Sequence, residues 1–260
     1  MKLLIKSATI LDHQSDFHKK TVDILIENGI INKIGPNIQT KANQSISFKD
    51  LHVSRGWFDS SVSFGEPGFE ERETIANGLD TAAKSGFTTV ALNPNTFPVL
   101  DNNGAITSVL SKAGKHPVSL LPVGALTVKS KGVDLAELYD MQQAGAISFG
   151  DYKRSVGNPN LLKLALQYAQ NFDALVQSFP QENRIAGNGM VNEHHQSTML
   201  GLKGIPDLAE ELQITRDLYL LEYTGGKLHI PTISTAKSVR LIKEAKKKGL
   251  DVTCSVAIHN

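Results

Sequence analysis

Sulfur and aromatic residues are scarce in this chain, and neither sign of charge dominates. The single cysteine, Cys254, excludes an internal disulfide and fits a reducing, cytoplasmic setting. No apolar run approaches the roughly 18 residues that a membrane-spanning helix needs. The opening MKLLIKSATILDHQ is too short and too soon polar for a secretory signal. Lys and Arg number 27 against 26 Asp and Glu, and a net charge of +1 gives no reason to expect nucleic acid or an anionic membrane as partner. Low-complexity tracts and short repeats are also absent. What is present is a chain of 260 residues, 40% hydrophobic and 20% charged, long enough to bury a substantial α/β core.

The pattern changes once along the chain. Residues 1–52 read as short β-strands with a hairpin signal at Glu27-Asn28-Gly29, which predicts a small β-sandwich-like domain. From residue 53 to 260, helical periodicity alternates with short apolar strands such as FTTVALNPN, PVSLLPVGALT, AISFGD, ALVQSF, KLHIPTIS and DVTCSVAI. Such alternation gives parallel strands joined by right-handed helical crossovers. Counting the strand that leads into Ser61 there are seven, whereas a (β/α)8 barrel has eight. A polar stretch, 181–204, interrupts the alternation.

The stretch GWFDSSVSFGEPGFEERE, residues 56–73, holds the question of function. Ser61 and Ser63 lie two apart, so on a strand they share a face. The C-terminal end of a barrel strand is where catalytic groups and metal ligands sit, yet these are hydroxyls.

The chain resembles a dihydroorotase of the amidohydrolase superfamily. The resemblance rests on EPGFEERETIANGLDTAAKSGFTTVALNPNTFPVLDN, GAISFGD, GLKGIPDLAEELQITRDLYL and LHIPTISTAKSVRLIKEAKKKGLDVTCSV, in that order and over nearly the whole chain. It implies an α/β fold, a (β/α)8 TIM-type barrel of the amidohydrolase kind with a small N-terminal β domain. It also implies a further helix and an eighth strand beyond residue 260, so that these residues alone would leave open strand edges and an incomplete fold. The activity implied is zinc-dependent interconversion of N-carbamoyl-aspartate and dihydroorotate in pyrimidine biosynthesis.

The site residues implied by the resemblance are mostly replaced. The family's paired metal histidines fall on Ser61 and Ser63, its next on Phe179 and another on Thr232. The substrate-binding arginine falls on Gly65. Asp59, Phe64, Glu66, Pro67 and Gly68 match, as does Asp151 at an acidic bridging position, and His229 matches a histidine that is not a ligand. Asn95 matches a substrate-binding residue, although Asn-Thr after a strand is equally ordinary turn chemistry. A hydroxyl is a weak replacement for imidazole and a phenyl ring has no lone pair, so neither a metal nor a zinc cofactor is expected here. Gly65 also lacks the planar cation that could grip a carboxylate.

Several other features have plain readings. Ser61 and Ser63 are not expected as nucleophiles, because SSVSF supplies no histidine base. Asp151 is expected to be solvated or paired with Lys153 or Arg154. Glu210 and Arg216 read as helix capping or surface pairing, adjacent His194 and His195 diverge in a polar loop, and Cys254 packs. With its ligands gone, the barrel mouth is expected to be filled by the chain's own side chains, Phe179 above all. The expectation is therefore a catalytically inactive dihydroorotase-like protein kept as a structural or assembly subunit, as a homo-oligomer or with an aspartate carbamoyltransferase-type partner. The alternative is an active dihydroorotase or related cyclic amidohydrolase with a rearranged site.

Overall fold

The structure, a computed structural model, describes residues 1–259, and the chain divides into two compact units, Met1–Trp57 and a larger one that begins at Phe58. The first unit has strands β1 (Lys2–Leu11), β2 (Thr21–Glu27), β3 (Ile30–Gly35), β4 (Gln44–Ile46) and β5 (His52–Ser54). They form one sheet in the order β3-β2-β1-β4, with β5 also on β1. This is a single sheet where the sequence led us to expect a sandwich-like unit. Asn28 and Gly29 connect β2 to β3 with φ of 52° and 81°, the pair of left-handed residues that a tight hairpin demands. A bulge in β1 at Ser7 is held by buried Asp23, whose carboxylate accepts the Ser7 N–H at 2.9 Å and the Ile38 N–H at 2.9 Å. The sheet has an apolar cluster on each face, Leu4, Leu25 and Ile38 on one and Ile10, Val22 and Ile24 on the other.

The rest of the chain follows the strand-helix alternation. In order come β6 (Trp57–Val62), α1 (Ile75–Lys84), β7 (Phe87–Leu92), α2 (Asn103–Ala113), β8 (Ser119–Gly124), α3 (Leu138–Gln143), β9 (Ser148–Phe149), α4 (Pro159–Ala169) and β10 (Leu175–Gln177). Then follow α5 (Asn183–Ala186), β11 (Val191–Asn192), α6 (His195–Met199), β12 (Gly204–Ile205), α7 (Leu208–Thr224), β13 (Lys227–Ile230), α8 (Ala236–Lys247) and β14 (Asp251–Cys254). The polar stretch 181–204 is thus not plain loop. It holds two short helices and pairs β11 with β12. The seven main strands form a curled parallel sheet in the order β14-β13-β10-β9-β8-β7-β6, which is the part of a TIM-type barrel expected from the sequence.

Side-chain caps start several of the helices, and apolar stripes seat them on the sheet. Thr74 caps α1 by accepting the Asn77 N–H at 3.2 Å, and Asn102 caps α2 by accepting the Ala105 N–H at 3.0 Å. The stripes Ile75-Leu79-Ala82, Leu161-Leu162-Ala165-Leu166 and Ile214-Leu218-Leu221 bury against the sheet, giving one core with Val90, Leu92, Phe149, Val176 and Leu228. On α1 the approach is close enough to require a glycine. A Cβ at Gly78 would lie 2.4 Å from the Phe64 ring. The consequence for function is positional: every main strand hands its last side chains, and the loop that follows, to one rim of the sheet.

Candidate functional site

That rim encloses a cavity of about 470 Å³ whose lining includes Ser61, Asn93, Phe179, His229, Thr232 and Ser255. The volume falls within the roughly 300–1,000 Å³ range of small-molecule pockets. The expectation of a mouth filled by Phe179 is therefore overturned. Phe179 is half-buried and forms part of a wall, since β10 ends at Gln177 and the chain turns away after Ser178. The reason lies beneath it. Ser178 donates its hydroxyl to buried Asp217 at 2.6 Å, which draws the chain toward α7.

The two serines are in place at the end of β6, but their hydroxyls are engaged. Asn93 donates to Ser61 Oγ at 3.0 Å and to the Val62 carbonyl at 3.0 Å. Asn95 donates to Ser63 Oγ at 2.7 Å. Side chains that follow the neighbouring strand β7 thus engage both serine oxygens. Ser61 and Asn93 border the cavity, whereas Ser63 and Asn95 are not part of its lining. Asn95 Oδ1 is buried without a hydrogen-bond partner among the described residues.

Asp151 does not behave as the sequence led us to expect. It is buried, and neither Lys153 nor Arg154 pairs with it. Its carboxylate accepts the Thr127 N–H at 3.0 Å and the Thr127 hydroxyl at 2.6 Å. Arg154 instead donates to the Ser130 carbonyl at 3.1 Å. Burial raises the Asp151 pKa above its ordinary 3.8, and the bonds from Thr127 oppose that rise. Asp151 is therefore a loop clamp, its carboxylate bound to Thr127.

The loop after β6 is tightly hydrogen-bonded. Gly65 N–H donates to the Glu73 carbonyl at 2.9 Å, and Gly65 O accepts the Phe69 N–H at 2.9 Å. A Cβ at Gly65 would fall 1.7 Å from the Phe69 carbonyl oxygen, so no arginine fits this backbone. Glu66, part of the matching Glu-Pro-Gly motif, has structural work. It accepts the Ile75 N–H at 2.8 Å at the start of α1 and pairs with Lys112 at 2.7 Å. The Lys112 bond, then the Ile75 N–H, hold its carboxyl below the usual range.

The far wall contains what the sequence reading missed. Parallel pairing sets Gln177, His229 and Thr253 side by side across β10, β13 and β14. His229 Nδ1 lies 2.8 Å from Thr253 Oγ1, and Nε2 lies 3.3 Å from Ser255 Oγ. Burial lowers the His229 pKa from 6.5, favouring the neutral ring. Thr232, next to this group, has φ of 56°, left-handed backbone that a β-branched residue rarely adopts, and donates its N–H to Ser255 Oγ at 3.2 Å. Glu210 accepts from the Ser234 N–H and hydroxyl and from the Thr235 N–H at 2.6–3.1 Å, capping α8, as a plain reading of that residue implies. Cys254 is partly buried and packs on the main core.

Among the described residues no three His, Cys, Asp or Glu side chains gather in a way that could hold a metal ion, and no helix is long and apolar enough to cross a membrane. A family model described as Dihydro-orotase-like matches residues 52–238. A dihydroorotase of Pelotomaculum thermopropionicum is 44% identical over 261 residues, covering 100% of this chain and 61% of that protein. One from Ruminiclostridium cellulolyticum is 41% identical, covering 100% and 60%. The chain thus spans about three-fifths of the length of these curated relatives. In structure it is similar to an L-hydantoinase (dihydropyrimidinase) from Arthrobacter aurescens, with a TM-score of 0.81 at 20% identity over 98% of this chain and 58% of the other.

Proposed function

The chain belongs to the dihydroorotase-like family and has its amidohydrolase-type barrel fold, and from that premise we propose that it does not catalyse the family's metal-dependent cyclic-amide hydrolysis and is retained as a structural or assembly subunit. The observation that carries this reading is the state of the four expected histidine positions. Ser61 and Ser63 accept hydrogen bonds from asparagines, Phe179 has no donor atom, and Thr232 offers a neutral hydroxyl in place of an imidazole and donates its backbone N–H to Ser255. The residues present do not fit zinc. Zinc needs about four deprotonated or neutral N, S or carboxylate donors. The one carboxylate in register, Asp151, is clamped by Thr127.

The chain keeps 44% identity to a dihydroorotase over its whole length, which supports selection for a surface rather than for metal-dependent amide hydrolysis. An aspartate carbamoyltransferase-type chain, or a second copy of this chain, is the partner we propose, in the cytoplasm. Co-purification with aspartate carbamoyltransferase, or self-association in sedimentation, tests that part. The second reading, an active cyclic amidohydrolase with a rearranged site, draws on the open cavity of about 470 Å³.

One experiment separates the two. Purified protein is assayed for zinc and for dihydroorotate hydrolysis. We expect substoichiometric zinc and no turnover above a blank, also in the S61H/S63H variant, because Phe179, Thr232 and Gly65 remain. Stoichiometric zinc with turnover in the unaltered protein overturns the proposal.

A further inference from the structure

We propose that Ser255 is an activated nucleophile, with His229 as its general base and Thr253 as the group that orients the imidazole, and that it takes up acyl groups from small activated carboxylic esters admitted to the cavity. The argument begins with register. Parallel pairing puts Thr253 beside His229, and Ser255, just past the end of β14, brings its hydroxyl to the other ring nitrogen. That register places three side chains in line, Thr253 Oγ1 to His229 Nδ1 at 2.8 Å and His229 Nε2 to Ser255 Oγ at 3.3 Å. With Nδ1–H donated to Thr253, the Nε2 lone pair faces the serine hydroxyl, which is the relation of base to nucleophile in an acyl-transfer site.

Thr232 supplies an independent observation. Its left-handed backbone, φ of 56°, directs its N–H at Ser255 Oγ at 3.2 Å. Such strain in a non-glycine residue concentrates at functional sites. A hydrogen bond donated to the oxygen stabilises negative charge there and so favours the attacking form. His229, Thr232 and Ser255 all line the cavity. The same N–H limits the chemistry. Being donated to the nucleophile, it is not free to receive a developing oxyanion, and an oxyanion-hole donor of that kind is worth about 10²–10³ in rate. The substrate must therefore carry its own activation, which selects aryl esters over amides.

In the reaction, Ser255 Oγ forms a bond to the carbonyl carbon while its proton passes to His229 Nε2 and the carbonyl π pair moves to oxygen. The tetrahedral adduct collapses, the bond from carbon to the aryl oxygen breaks with its electron pair, and the proton on Nε2 passes to the departing aryloxide. Water then attacks the acyl-serine, giving one proton to Nε2. Collapse returns that proton to Ser255 Oγ and releases the carboxylic acid.

The test uses the whole chain with two probes, a fluorophosphonate and p-nitrophenyl acetate. We expect one phosphonyl adduct per chain, mapped by peptide mass to Ser255, and a stoichiometric burst of p-nitrophenolate. Urea-unfolded protein controls for ordinary serine reactivity and needs no variant. The adduct should vanish in S255A, and in H229Q the labelling rate should drop by about 10²-fold, within the range for a lost general base. Folding of both variants is checked by circular dichroism. Absence of Ser255 labelling above the unfolded control, or an unchanged rate in folded H229Q, overturns the proposal.

Discussion

Replacing Arg216 by methionine should destabilise the larger unit by about 3–5 kcal/mol, the cost of stripping one partner from a buried ion pair. Asp217 is 1% exposed. Its Oδ1 accepts from Arg216 at 2.9 Å (Nε) and 2.7 Å (Nη2), and its Oδ2 accepts from Ser178 at 2.6 Å and Gln213 at 3.3 Å. The variant leaves a buried carboxylate with two neutral donors and no compensating charge. It also removes the donors to the Val156 and Gly157 carbonyls, at 2.7 and 3.3 Å. In a urea titration the midpoint should fall, and in a thermal scan Tm should fall by about 10 °C, taking roughly 2–4 °C per kcal/mol for a unit of this size. The double variant R216M/D217L removes both charges and should recover most of the loss, because hydrophobic replacement of a whole buried pair is often close to neutral. A single-variant loss under about 1 kcal/mol, below the cost of an unpaired buried charge, would refute the argument. So would a double variant as unstable as the single one.

Two further outcomes follow from buried groups near the rim. Asp151 has its pKa raised from 3.8 by burial, so the folded state binds a proton more readily than the unfolded state. Its ionised form therefore costs stability at neutral pH, and that cost is relieved as pH falls through the raised value toward 3.8. Urea unfolding of the unaltered protein against D151N should show the unaltered protein gaining, relative to the variant, between pH 7 and pH 4. A constant difference across that window would contradict the assignment. Gly65→Arg, which would place a cation where the resemblance expects one, should lower stability rather than confer substrate binding, because its Cβ meets the Phe69 carbonyl at 1.7 Å. Overpacking of this kind costs about 1–3 kcal/mol. An arginine variant as stable as the unaltered chain in thermal melts would show that the loop re-forms easily.

The alternation of strands and helices was legible because it is a local signal. Apolar period, Thr and Asn caps, and the Asn28-Gly29 turn each act within a few residues, and the structure places elements where they fall. The assignment of the family's histidine positions to Ser61, Ser63, Phe179 and Thr232 came from resemblance to a family pattern, not from a local signal. What the sequence concealed is lateral. That Asn93 reaches Ser61, that Asp151 answers to Thr127, and that His229 stands between Thr253 and Ser255 depends on strand register, which no single segment encodes. The filled mouth was expected from the bulk of one phenyl ring. The direction of the chain after Gln177, set by Ser178 and Asp217, decided otherwise. A signal for the His229 group existed in the alternation Thr253-Cys254-Ser255, where two hydroxyls stand two residues apart.

The segment from Pro231 to Thr235 is fastened at several points along its length. Thr232 and Ile233 donate their N–H groups to Ser255, and Ser234 and Thr235 donate theirs to Glu210. A wall secured in this way has already given up its conformational freedom before any guest arrives. Binding against it carries little ordering cost, so recognition on this side resembles a rigid mould more than a closing hand. Molecules that match its contour should associate without a slow structural step, and those that do not will find no rearrangement to accommodate them.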